Sequence, residues 1–260
     1  MRKSKMKIAI LGCISAFFIA YLILLPAKPS KAETLVVDGL FYRIVVAFKV
    51  DQKAAQAWLP APWKVVSLAE GPLQGTNIML MLDDRFIIQD GEGKLEQWPV
   101  RAVLVSPGVH TKTGEFAFFV TRIYWPYDDP HDYKNAVKAT VHREATIKSA
   151  TSESGAGSEM WKIQDNAGGI LEFQMNYQRG VTKRVKSEFK VRSSVDPDFI
   201  RIYHDDYSSD LVKSIPAGID RVQNYKFRTT IPELRKMFDG SEQLIAIMVN
   251  PCRVRKVFLP

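Results

Sequence analysis

Phe41-Tyr42-Arg43-Ile44-Val45-Val46-Ala47-Phe48 is a run of aromatic and β-branched residues with a single charge inside it. Such side chains fit a pleated surface, so the run predicts a strand. Working outward, the same composition returns at residues 77–88, which contain Ile78-Met79-Leu80-Met81-Leu82, and at 100–105, 115–125, 136–148, 160–164, 170–177, 188–195, 199–203, 222–229 and 244–249. Within 136–148, Val137, Ala139 and Val141 fall on one face, against Lys138, Thr140, His142 and Glu144 on the other. That period of two is the pattern of a half-buried strand. Many short strands with turn signals between them predict a mainly β (α+β) fold, arranged as a barrel or a sandwich. Two helices are expected. One spans 51–58, with Asp51 as N-cap and Pro60 beyond its end. The other opens on Thr230-Ile231-Pro232-Glu233, which reads as a capping box with proline in the first turn, and runs to about Phe238 before Gly240. Residues 213–219 are left between helix and strand. Residues 151–158, rich in Ser, Gly and Ala, read as a loop between two strands. No internal repeat is present.

The first 32 residues have a different character. Arg2, Lys3, Lys5 and Lys7 form a basic start, residues 8–25 are uncharged and mostly apolar, and Pro26 breaks the run. Ser30-Lys31-Ala32 then places small residues at −3 and −1 of a cleavage site before Glu33, the layout of a secretory signal peptide. The apolar run is also near the minimum length for crossing a bilayer. A cleaved signal and an uncleaved inner-membrane anchor through residues 8–25 both stay open. Either way the positive-inside bias keeps the basic end in the cytoplasm and sends residues 33–260 across, which predicts a periplasmic domain.

Dividing the chain there changes its electrostatics. The whole sequence has 36 Lys+Arg against 28 Asp+Glu, but six of the basic residues lie in 1–32, leaving 30 against 28. The high pI belongs mostly to the targeting segment, and nucleic acid is not an expected partner. The exported part is long enough to bury a sizeable core in one domain. A homo-oligomer is left open. Cys13 falls in the export segment, so residues 33–260 hold only Cys252 and no internal disulfide is available. Cys252, between Pro251 and Arg253 with Val254 next, is expected to be a small buried hydrophobe.

From Phe41 to Asp83 the order is a strand, an Asp-led helix, Trp58-Leu59-Pro60-Ala61-Pro62, a turn, and Asn77-Ile78-Met79-Leu80-Met81-Leu82-Asp83. Trp98-Pro99-Val100-Arg101-Ala102-Val103 and the aromatic strand Phe116-Ala117-Phe118-Phe119-Val120 follow. This order resembles the acetoacetate decarboxylase-like superfamily. The resemblance implies a lipocalin-like closed β-barrel or cone around an internal cavity, with a few peripheral helices. In decarboxylating members it implies a cavity lysine that forms a Schiff base with a β-keto acid, which needs a neutral amine and hence a lowered lysine pKa. The lysine of that family sits in a Tyr-Pro-Lys-Lys type run, and no Pro-Lys dipeptide occurs here. The corresponding stretch is Tyr127-Asp128-Asp129-Pro130-His131-Asp132-Tyr133-Lys134, whose acidic residues raise a neighbouring lysine's pKa. Asn77 stands where the resemblance implies a cavity glutamate.

Lys134 and Lys138 are therefore the candidate nucleophiles, and Asn77, Arg101 and Arg122 the candidate ligand-binding residues. Lys138 lies on the polar face of its strand, so ordinary alternation expects it outside. Lys134 follows the acidic turn and is expected to be exposed. Arg101 and Arg122 interrupt apolar strands; turned inward either pairs with a ligand carboxylate, and outward projection is the default. Asp128, Asp129, His131 and Asp132, and again His204, Asp205, Asp206 and Asp210, read as surface turn chemistry, without metal-ligand spacing. Trp58, Trp63, Trp98, Trp125 and Trp161 read as core packing. No G-x-S-x-G, Walker or G-x-G-x-x-G motif is present, and no cofactor is expected. The expected function is an exported protein that binds a small apolar or carboxylate-bearing molecule without the standard lysine chemistry. The alternatives are a Schiff-base lysine decarboxylase or lyase, and an envelope interaction protein with no ligand.

Overall fold

The computed structural model describes residues 33–96, 100–129, 131–149 and 155–260. The expected export segment, Trp98-Pro99 and residues 151–154 lie outside the described residues, and of the loop expected at 151–158 the last three residues already belong to a strand. Thirteen strands are present: β1 (Thr34–Lys49), β2 (Trp63–Val65), β3 (Ile78–Asp90), β4 (Arg101–His110), β5 (Phe116–Trp125), β6 (Ala136–Lys148), β7 (Ala156–Asp165), β8 (Ile170–Gln178), β9 (Lys183–Ser193), β10 (Ile200–Ser214), β11 (Ile219–Asp220), β12 (Val222–Thr229) and β13 (Gln243–Leu259). They form one large mixed sheet in the order β12-β8-β7-β6-β5-β9-β10-β13-β1-β3-β4-β2, with β11 off this path and paired to β10. The pairings are antiparallel except where β5 runs parallel to β6 and to β9. Because β4 also pairs with β5, the path from β5 through β9, β10, β13, β1, β3 and β4 returns to β5.

The alternation of β1 explains how this path is packed. Ile44, Val46 and Phe48 join one hydrophobic cluster, with Trp161, Leu171 and Phe173 of the β6–β8 and β12 layer. Val45 and Ala47 point the other way, into a second cluster with Met79, Val103, Val105 and Val120. A strand covered on both faces needs apolar residues at every position, which is why 41–48 reads as a continuous run.

Of the two expected helices, α1 (Gln52–Gln56) forms as read: Asp51 caps it, its carboxylate accepting from the Ala54 amide at 2.8 Å. The second is only a single 3-10 turn, Pro232–Leu234. The capping residues are engaged elsewhere: Thr230 Oγ1 accepts from the Ile170 amide, and the Glu233 carboxylate takes Tyr124 Oη and Arg122 Nη2. Ile231, Leu234, Met237 and Phe238 still bury themselves in the first cluster. Residues 213–214 end β10 and 215–218 turn.

Several strands run further than the sequence suggests, and two of these extensions bear on the site. β10 continues through His204-Asp205-Asp206 to Ser214, so this acidic cluster is strand and not surface turn. Asp205 and Asp210 are buried on it. β13 continues through Pro251 to Leu259, with Arg253, Arg255 and Val257 buried and Cys252, Val254 and Lys256 exposed. Cys252 is thus an exposed thiol, not a buried hydrophobe. Its strand turns arginines inward in this segment, and the cysteine takes the opposite parity. Among the described residues no helix is long and apolar enough to cross a membrane.

Candidate ligand cavity

Register fixes the central feature of the molecule. Arg43 pairs with Asn250 across β1–β13 and with Asp83 across β1–β3, and Asp83 pairs with Arg101 across β3–β4. These four residues form one row, Asn250–Arg43–Asp83–Arg101. Two positions along, with the same side-chain parity, the row is Met248–Val45–Met81–Val103; the next is Ala246–Ala47–Met79–Val105. On the opposite side of the polar row, Arg253 pairs with Phe41 and Tyr207, and Arg255 with Gly39 and Asp205. One face of these strands therefore changes from cationic to apolar along its length.

That face bounds a cavity of ≈ 320 Å³ to which all seven strands of the circuit contribute. Its polar lining includes Arg43, Arg101, Arg253, Arg255, Asn250, Tyr133 and Tyr203; its apolar lining includes Val45, Met79, Met81, Val103, Phe118 and Met248. Glu188 also lines it, but with a largely exposed side chain.

The arginines are held by two buried carboxylates. Arg43 forks onto Asp83, Nε to Oδ1 at 2.6 Å and Nη2 to Oδ2 at 2.7 Å, while Arg101 Nε reaches Oδ2 at 3.2 Å. Arg255 forks onto Asp205 at 2.6 and 2.8 Å, and Arg253 Nη2 donates to the same carboxylate. Burial alone would raise the pKa of Asp83, but Arg43 and then Arg101 hold it well below the usual carboxylate range. Asp205 is depressed in the same way by Arg255 and Arg253. Each cluster is two cations on one anion, so the pair carries a net surplus of positive charge in a poorly solvated place. Arg253 registers that surplus: burial and then the neighbouring Arg255 and Arg43 pull its guanidinium down to about 9, against the opposing pull of Asp205.

Tyr133 and Tyr203 meet at their hydroxyls, 2.5 Å apart, and the Arg255 guanidinium lies 4.1 Å from the Tyr203 ring centroid. Burial and then Tyr203 keep the Tyr133 phenol well above its ordinary value, so it stays neutral. With Arg101 and Arg255 these two tyrosines also line an adjoining space of ≈ 200 Å³ that includes Arg85, His131 and Arg201. His131 Nε2 faces Arg101 Nη1 at 3.4 Å. Burial, then Arg101, Arg85 and Arg201, depress its imidazole to about 2.

Asn250 differs from these neighbours. It is fully buried, it lines the cavity, and neither atom of its amide group has a hydrogen-bond partner. A buried amide left unmet costs roughly 1–3 kcal/mol, so its retention points to a group that meets it.

The structure distributes the sequence candidates differently from expectation. Arg101 faces inward, against the default of outward projection, because its register partner is Asp83. Arg122 does not line the cavity; it bonds the Asn135 carbonyl and Glu233 and lies over Trp58, 5.1 Å from the ring centroid. Asn77 is buried but structural, clasping the Val50 amide and carbonyl at 2.9 Å each. Lys134 and Lys138 lie outside, in ion pairs with Asp196 at 2.8 Å and Asp128 at 2.6 Å. No lysine is among the described lining residues. The acidic clusters separate: Asp132 pairs with Arg201, Asp210 with Arg221, and Asp205 joins the cavity arginines. Trp63, Trp125 and Trp161 are buried in packing. Sequence reading missed Arg43, Arg253, Arg255, Asn250 and the two tyrosines. The available signal was Arg253-x-Arg255 at strand spacing, and Arg43 inside an apolar run.

Two solved structures share this course of the chain. The enduracididine biosynthesis enzyme MppR, with HEPES buffer bound, superposes with a TM-score of 0.51 at 8% identity over 91% of each chain. An acetoacetate decarboxylase-like enzyme from Sphingomonas wittichii RW1 gives 0.50 at 11% identity, covering 91% of this chain and 98% of that one. The fold is that of the acetoacetate decarboxylase-like enzymes. No family model and no curated protein matches the sequence.

Proposed function

We propose that this protein is an exported, small-molecule-binding member of the acetoacetate decarboxylase-like superfamily, and that its ligand carries a carboxylate. The circuit of seven strands is, in this reading, the lipocalin-like barrel or cone that the sequence order resembles, and the cavity is its interior. The single observation that carries the reading is the lining: four arginines, held by two aspartates, and no lysine among the described residues. Arginine presents donors in a planar fork that matches a carboxylate, and the match is strongest where water is scarce. Schiff-base chemistry needs a neutral amine at the reacting carbon. Lys134 and Lys138, the candidates for it, point to solvent and are engaged by aspartates. Export rests on residues 1–32, whose layout is that of a secretory signal or an N-terminal anchor.

The test is thermal stability of the full chain, purified in mild detergent, against alkyl carboxylates and the amines and alcohols of equal chain length. A ligand that binds only the folded state raises Tm by mass action. Carboxylates should raise it in a saturable way and amines should not. Equal shifts for amines, or none for carboxylates, would sink the reading.

A further inference from the structure

We infer that the ligand is an aliphatic hydroxy acid: a carboxylate with a hydroxyl group close to it and an apolar tail. This rests on the carboxylate reading above and adds the rest of the molecule.

The head-group end is set by register. Asn250 stands directly opposite Arg43, so its amide and the arginine serve adjacent atoms of one ligand. Every side-chain amide has a donor half and an acceptor half, whichever way it is turned. In Asn250 both halves are buried and unpartnered. A carboxylate only accepts hydrogen bonds, and a ketone only accepts. Either meets the NH2 of Asn250 and leaves its oxygen buried and unmet. A hydroxyl both donates and accepts, so it meets both halves. Placed beside the carboxylate, at the second or third carbon, it reaches the asparagine while the arginines hold the acid.

The tail follows from the next rows. Beyond Arg43 and Asn250 the lining becomes Val45 and Met248, and it stays apolar for two steps along the strands. At two residues per step that is a depth of about 13 Å with no charged partner. Flexible methionines along it suit an unbranched chain.

Calorimetry on the full chain in mild detergent tests this with decanoate, 2-hydroxydecanoate, 3-hydroxydecanoate, 2-oxodecanoate and decylamine. At least one hydroxy acid should bind tenfold or more tighter than decanoate and 2-oxodecanoate. Asn250→Leu should erase that preference. Hydroxy and parent acids of equal affinity, or a preference that survives Asn250→Leu, would overturn the hydroxyl assignment and leave the carboxylate reading standing. No binding by any carboxylate overturns both. The wild-type ratio decides the question even if the variant fails to fold.

Discussion

Arg43 and Asp83 meet in a two-point fork, at 2.6 and 2.7 Å, on register-paired positions of β1 and β3. Both side chains are essentially without solvent contact. The fork fixes the guanidinium in place before any ligand arrives, and Asp83 also steadies Arg101. Removing the aspartate leaves two buried cations facing each other. Breaking such a pair by deleting one partner costs about 3–5 kcal/mol. Asp83→Ala should therefore lower unfolding stability by about that amount in urea titration. A loss under about 1 kcal/mol would mean that water already reaches the cluster.

His131 gives a pH dependence whose sign follows from its depressed pKa. The folded imidazole stays neutral to about pH 2, whereas the unfolded one gains its proton near 6.5. Below pH 6.5 the unfolded state binds the extra proton, so stability falls as pH falls, by at most about 1.4 kcal/mol per unit. Asp83 and Asp205 act lower down. Their folded values lie below the unfolded value near 3.9, so the stability they supply is present above that pH and is lost beneath it. Melting temperature should decline from pH 6.5 to 4.5 and drop more steeply below about 4. His131→Gln should flatten the upper part alone. A wild-type curve flat from pH 6.5 to 4.5 would count against a buried neutral imidazole.

How much of this was legible before folding depends on whether the signal is local. Alternation located a part of nearly every long strand, and the Asp51 cap located α1, because both are decided within a few residues. The order of elements over 41–125 pointed to the fold found in the structure comparisons. The cavity was not legible, because its polar row joins positions 43, 83, 101 and 250, which only the register of β13, β1, β3 and β4 brings together. Arg101 was assigned outward by the rule that charge prefers water, and a distant aspartate overrode the rule. Cys252 was misplaced for a related reason: one face of β13 is cationic inside, so hydrophobicity gives the wrong parity there. Glu233 was read as a helix cap, and its real partners, Arg122 and Tyr124, lie more than a hundred positions away.

Asn77 separates a structural amide from a ligand-reading one. Both of its hydrogen bonds to Val50 close the chain between β1 and α1, and it does not line the cavity. Asn77→Ala leaves a buried backbone amide and carbonyl without these partners and should cost about 1–3 kcal/mol of stability. Carboxylate affinity should be unchanged when measured on the folded fraction. An affinity loss of tenfold or more would place Asn77 in the binding machinery after all.

Borohydride trapping addresses the lysines directly. Lys134 and Lys138 are exposed and salt-bridged, and neither is among the residues that line the cavity. Exposed ion pairs contribute about 0–1 kcal/mol, so Lys134→Ala and Lys138→Ala should fold and melt close to the parent. Those variants are therefore clean controls. The full chain incubated with acetoacetate, pyruvate and a panel of aldehydes, then reduced, should show by intact mass no adduct that saturates at low substrate. Diffuse modification at high aldehyde concentration is expected of any surface lysine and should be unaffected by either substitution. A single stoichiometric adduct that maps to Lys134 or Lys138 and vanishes in the matching variant would restore the lyase reading. It would also mean that the segment carrying that lysine turns into the cavity when substrate binds.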